Sequence, residues 1–177
     1  MNLFKTAIKI FVVMTLLTGF IYPLFITLIA QFTMPYHANG SLIEKGDRII
    51  GSLLIAQKTT DNRYFWPRPS AIDYDPIKPS GGSNLGPTSQ KLKDIVNKRK
   101  DKMGKDAPGE LLYASGSGLD PHISLETAYF QIARVAKARS MDEEALKRMI
   151  NSTAERNFKF KARYVNVLLL NEALDGK

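Results

Sequence analysis

The sequence predicts an α+β protein, with one N-terminal transmembrane helix followed by a single small soluble α+β domain. Three observations carry that expectation. No residue from Ile10 to Pro35 is charged. Behind that stretch, helix-spaced apolar faces alternate with short apolar runs punctuated by Gly and Pro. The length of 177 residues suits one ordinary domain plus one appended element.

The first element is the anchor. Between Ile10 and Phe32, fourteen residues are Leu, Ile, Val or Phe. Each favours insertion by roughly 0.3 to 0.6 kcal/mol at a helix centre, so together they contribute on the order of 4 to 8 before polar penalties. A cleaved signal peptide has a shorter apolar stretch, about 7–15 residues, ending in small residues. Here Ala30 is followed by bulky Phe32 and Met34, so retention of the helix is expected. Thr15, Thr18, Gly19 and Tyr22 fall on one helical face, where small and hydroxylated side chains let a second helix approach closely. Such residues are also simply common in membrane helices. Pro23 is expected to kink the span.

Charge sets the expected orientation. Lys5 and Lys9 precede the span, and the first basic residue after it is Lys45. The positive-inside rule then keeps the N-terminus cytoplasmic and the rest outside, even though the outer part holds the other 23 basic residues, since large domains translocate largely regardless of charge. The expected layout is 1–9 cytoplasmic, 10–33 spanning, 34–46 a connector, and 47–177 a soluble extracytoplasmic domain.

Within that domain, residues 48–57 (RIIGSLLIAQ) read as a buried strand. Tyr64-Phe65-Trp66-Pro67-Arg68-Pro69 must be extended, because its prolines forbid a helix. Residues 75–88 (DPIKPSGGSNLGPT) form a long loop, a kind of segment that is often functional. From Ser89 to Met103, Leu92, Ile95, Val96 and Met103 mark the apolar face of a helix. Residues 110–115 (ELLYAS) suggest a short strand. Ser124 suits the N-cap of a helix reaching about Arg139 that buries Leu125, Ala128, Tyr129, Ile132 and Ala136. Ser140-Met141-Asp142-Glu143 has the capping-box pattern, opening a helix with Met141, Leu146, Met149 and Ile150 inward. Residues 164–174 (YVNVLLLNEAL) suggest a terminal helix.

Composition excludes several function classes. Zero cysteine removes disulfides, Cys-ligated zinc and thiol nucleophiles. The formal net charge is +8, but the Lys and Arg are scattered without the interleaved aromatics of a nucleic-acid groove. His37 and His122 are the only histidines and lack the clustered ligands of a metal site. Ser117, Asp120 and His122 supply hydrolase-triad residue types, yet within six residues and without the G-x-S-x-G elbow. Asp120-Pro121-His122 more simply shapes a turn. Ser80-Gly81-Gly82-Ser83-Asn84 could cradle an anion or a nucleotide on backbone N–H groups, although the Gly-Lys-Ser/Thr of a phosphate loop is missing. Its structural alternative is a tight glycine turn held by Ser and Asn.

Several strings, in order, resemble one family. They are Ile21-Tyr22-Pro23, residues 51–57 (GSLLIAQ), 64–70 (YFWPRPS), 80–87 (SGGSNLGP) and 114–124 (ASGSGLDPHIS), completed by Gln131, Arg134-Val135-Ala136, Val165-Asn166-Val167-Leu168 and Asn171. Over nearly the whole chain the sequence resembles the C subunit of the Kdp potassium-transporting P-type ATPase. Ala56 departs from the glycine usual before Gln57, and residues 157–163 lack expected glycines. The resemblance implies an accessory, non-catalytic subunit in the bacterial inner membrane. Its implied partners are a potassium-conducting subunit, a P-type ATPase subunit and a very small hydrophobic subunit. ATP and K+ would be handled by those partners, with no cofactor of its own. The implied roles are assembly, stability and service as a catalytic chaperone that raises ATP affinity.

Overall fold

The computed structural model describes residues 2–156 and 162–176. It divides into two compact units, Met1–Leu42 and Ile43–Lys177. The first is dominated by a helix, Asn2–Thr33, long and apolar enough to cross a membrane. At about 1.5 Å per residue its 32 residues reach roughly 48 Å, well beyond a hydrocarbon core of about 30 Å. A short turn of helix, Pro35–Ala38, follows.

Pro23 leaves its mark one turn upstream of itself. Leu17–Ile21 is a π-turn, and the Tyr22 N–H donates to Leu17 O, five residues back. Proline has no N–H to offer Gly19 O and its ring crowds that carbonyl, so the helix widens locally and continues as Tyr22–Thr33. A π-turn inserts one residue into the 3.6 repeat, so Tyr22 is turned away from the position that uniform spacing from Thr15 would give it. Thr18 Oγ1 donates back to Met14 O at 2.7 Å, and a Cβ at Gly19 would meet nothing within 4 Å.

The second unit is α+β, with helices and two small sheets. Strands β1 (Leu42–Lys45) and β2 (Arg48–Ser52) form a two-stranded sheet across a Gly46-Asp47 turn. Strands β3 (His122–Ser124), β4 (Glu155–Arg156) and β5 (Arg163–Asn166) form the other in the order β3-β5-β4, with both pairings antiparallel. Ile123 faces Val165 across the β3–β5 register, and both are buried. The helices Leu125–Phe130, Ile132–Arg139, Glu143–Thr153 and Val167–Asp175 close over this sheet. Ala128, Val135, Leu146, Ile150 and Leu170 join Ile123 and Val165 in one core with Phe65. A smaller cluster of Val96, Ala107 and Leu112 lies under the helix Gln90–Met103.

Several sequence expectations need correction. Residues 48–57 are not one buried strand. Strand β2 stops at Ser52, pairs with β1, and is exposed at Arg48 and Ile49. The connector at 34–46 holds the helical turn Pro35–Ala38 and β1. Gly109–Leu112 is a helical turn rather than a strand. The helix after Ser124 breaks at Gln131 into two. Ser140 is the left-handed C-cap of Ile132–Arg139, and the next N-cap is Asp142, whose Oδ2 accepts from Ala145 N. Residues 164–174 split into the end of β5 and a helix, because the Asn166 side chain accepts from Leu168 N and Leu169 N and starts the helix there. The glycine-poor stretch 157–163 lies mostly outside the described residues.

Candidate functional site

The two glycine-rich strings that look isolated in sequence meet in space. Gly81 N–H donates to Ser117 O at 3.0 Å, and Ser80 Oγ donates to the same oxygen at 2.9 Å. A Cβ at Gly118, whose φ is +71°, would lie 2.9 Å from Gly81 O and 2.8 Å from Ile72 Cγ1. Only glycine tolerates both that backbone conformation and that closeness. On the facing loop, a Cβ at Gly82 would sit 3.4 Å from Gly116 O. The left-handed residue of residues 80–84 is Asn84, at φ 53°, a conformation that Asn accepts more readily than most side chains. Ser80, Ser83 and Asn84 are exposed at the rim of this paired-loop surface.

The loop from Ser115 to His122 is fixed from below. Ser115 N donates to Pro69 O at 3.0 Å, Ala56 N to Leu119 O at 2.8 Å, and Val167 N to Pro121 O at 2.9 Å. Ala56 has no positive φ, so alanine fits there without strain. Asp120 is the electrostatic centre. Its Oδ2 receives Arg68 Nη1 at 3.1 Å and its Oδ1 receives His122 N at 3.0 Å. Burial pushes its pKa up, but hydrogen bonds from His122 and Arg68 outweigh that and hold it below the usual carboxylate value. The His122 ring stacks edge-on against Tyr164 on the neighbouring strand, with centroids 4.9 Å apart. Tyr74 OH donates to Arg68 O at 2.9 Å, and burial raises its pKa to about 12.

This geometry does not assemble a triad. Ser117 Oγ accepts the Leu119 N–H at 3.1 Å, while the imidazole of His122 faces Asp120 and Tyr164. The cradle formed by Gly81 and its neighbours is likewise committed, since the Gly81 N–H already binds the opposite loop. What the arrangement provides is a stiff, polar, glycine-packed surface mounted on β3 and the Tyr64–Ser70 segment.

A second polar array joins residues far apart in the sequence, a pairing the sequence does not reveal. Phe65, Trp66 and Pro67 run extended and buried without a strand beside them. Asn171 Oδ1 accepts Phe65 N at 2.8 Å and its Nδ2 donates to Phe65 O at 3.0 Å. Gln131 treats Trp66 in the same way, at 2.8 and 3.1 Å. Arg134 then donates to Asn62 O, Tyr64 O and Gln131 Oε1, with its guanidinium 4.1 Å from the Trp66 ring centre. Burial lowers its pKa to about 10.

Most residues of both arrays lie in the strings through which the chain resembles a known family, and comparison with known proteins agrees. The family profile for "K+-transporting ATPase, c chain" matches residues 4–176. The chain belongs to the KdpC family. A "Potassium-transporting ATPase KdpC subunit" from Sorangium cellulosum (strain So ce56) is 44% identical over 183 aligned positions, covering 97% of this chain and 96% of that one. Proteins of the same description from Burkholderia mallei (strain SAVP1) and Burkholderia pseudomallei (strain 1106a) are each 45% identical, covering 99% of this chain and 96% of theirs. This KdpC-family chain is therefore similar to those relatives from end to end, with its apolar helix included in the match.

Proposed function

We propose that this chain is an accessory, non-catalytic subunit of an ATP-driven potassium import complex. It would sit in the bacterial inner membrane with its N-terminus in the cytoplasm and its α+β domain outside. End-to-end kinship with proteins named as KdpC subunits carries the reading. The fold is consistent with a docking role, because the family strings build a polar, glycine-packed platform. The partners are a potassium-conducting subunit, a P-type ATPase subunit and a very small hydrophobic subunit, which handle K+ and ATP. The Thr15, Thr18 and Gly19 face packs against a partner helix, and the Ser80–Asn84 and Ser117–His122 loops face a partner's outer surface.

A role in assembly and stability follows from such docking. An effect on ATP affinity has to act at a distance, since a domain outside the membrane does not meet cytoplasmic ATP. It requires the subunit to bind one state of its partner more tightly than another, and the bias is then shared by ATP. Extraction in mild detergent followed by pull-down should recover the pump subunits together with this chain. Recovery of this chain alone, from a preparation whose pump remains active, refutes the reading.

A further inference from the structure

Among the described residues, four arginines of the domain are partly buried, and three of them are held by a carboxylate or by several hydrogen bonds. Arg68 holds Asp120. Arg134 holds two carbonyls, the Gln131 amide and the Trp66 face. Arg139 holds the carbonyls of Arg63 and Leu174 and the carboxylate of Asp175. Arg99 is the exception. Its Nη1 donates to Leu112 O at 2.5 Å, and its guanidinium pairs with no carboxylate. Burial lowers its pKa, and nearby Tyr74 offsets only part of that.

A half-buried cation with unspent donors invites an anion, since a guanidinium carries five N–H groups in a fork that fits two oxygens at once. Arg99 also borders a cavity of about 280 Å³. Lys91, Ser70 and Ser83 share that lining, no carboxylate does, and the walls between them are apolar, with Leu85 and Ile95 among them. Ser70 Oγ already accepts the N–H groups of Ile72 and Tyr74, so its own proton is left to donate outward. Among the described residues Lys91 makes no ion pair. Two cations and two hydroxyls thus surround one space, and every polar side chain lining it can donate.

We propose that this cavity binds a phosphate group, with Arg99 engaging two oxygens, Lys91 balancing charge, and the Ser70 and Ser83 hydroxyls donating to the others. The inference stands independently of the pump-subunit reading. The phosphate could arrive as the free ion or as the headgroup of an anionic phospholipid, and the two sources separate by experiment. Full-length protein in neutral detergent is titrated with inorganic phosphate and, separately, with short-chain phosphatidic acid, each followed by calorimetry. Saturation by inorganic phosphate identifies the free ion, and saturation by the lipid alone identifies the headgroup. In either case a Kd near or below about 1 mM is expected.

Arg99→Gln should weaken binding by about tenfold or more, because it removes a charge-assisted bidentate contact. Lys91→Gln should weaken it by a smaller factor of about three. Thermal melting without ligand shows whether Arg99→Gln is folded. If it is not, Lys91→Gln decides the matter, since Lys91 is exposed and supports nothing else. Absence of saturation by either probe, or unchanged affinity in the deciding variant, overturns the proposal.

Discussion

Phe65 and Trp66 show how much of this domain rests on single side chains. An extended segment inside a protein normally pairs its peptide groups with a neighbouring strand, and here two side-chain amides do that work. Gln131→Leu would keep the volume and leave Trp66 N–H and C=O both without partners. At about 1–3 kcal/mol per orphaned group, we expect the variant to lose roughly 2–6 kcal/mol in urea unfolding. A loss below about 1 would mean that water reaches the segment. The converse holds at Ser115, whose hydroxyl is buried without a partner. Ser115→Ala should leave stability unchanged or slightly raised, since it removes a desolvated group that gains nothing in return. The extended character of residues 64–69 is legible in their prolines. The pairing is not, because Gln131 and Asn171 lie 65 and 106 residues away and a lone amide leaves no periodic signal.

Helix ends explain most differences between the sequence reading and the structure. Ser140-Met141-Asp142-Glu143 has the spacing of a capping box, yet Ser140 closes the preceding helix at φ 53° and Asp142 opens the next. Both residues are good caps by type, so spacing alone does not decide between them. The structure makes opposite predictions for the two. Ser140→Gly should stabilise by about 0.5–1 kcal/mol, because a left-handed C-cap favours glycine. Asp142→Ala should cost about 1 kcal/mol by orphaning Ala145 N. Were Ser140 the N-cap, its glycine variant would be slightly destabilised instead, and denaturation of the two variants distinguishes the cases. The run Leu111-Leu112 was misread for a related reason, since a short apolar run has no period of its own. Its turn is set by partners elsewhere, with Glu110 Oε2 accepting from Ser124 N and Thr127 Oγ1, and Arg99 holding Leu112 O. The helices Gln90–Met103 and Glu143–Thr153 were legible because their apolar faces repeat over several turns.

At the scale of the whole molecule, polar clamps close the domain and charge asymmetry flanks the anchor. The C-terminal helix is tied down by Asp175, which accepts from Tyr64 OH at 2.9 Å and from Arg139 Nη2 at 2.5 Å. Partial burial raises the pKa of Asp175, but the bonds from Arg139 and Tyr64 prevail and hold it below the ordinary value. A depressed folded pKa stabilises fully above the unfolded value of about 3.9 and is lost as pH falls through the folded one. Asp175→Asn should therefore melt below the parent at pH 7, with the gap narrowing as pH drops toward about 3. An equal gap at both pH values would remove the carboxylate from the explanation. The anchor poses a larger question, because Lys5 and Lys9 stand before the span and no basic residue follows until Lys45. That imbalance favours an inside N-terminus; with that orientation the domain would lie outside, and any influence on ATP would have to travel through partner helices. The lack of cysteine allows a direct test. Ile77 is 92% exposed and lies outside the lining of the Arg99 cavity, so Ile77→Cys should present the chain's one thiol without disturbing the fold. A membrane-impermeant thiol reagent that also passes the outer envelope should label this variant on intact cells. Labelling that occurs only after lysis would place the domain in the cytoplasm, within reach of ATP, and remove the need for coupling through the membrane.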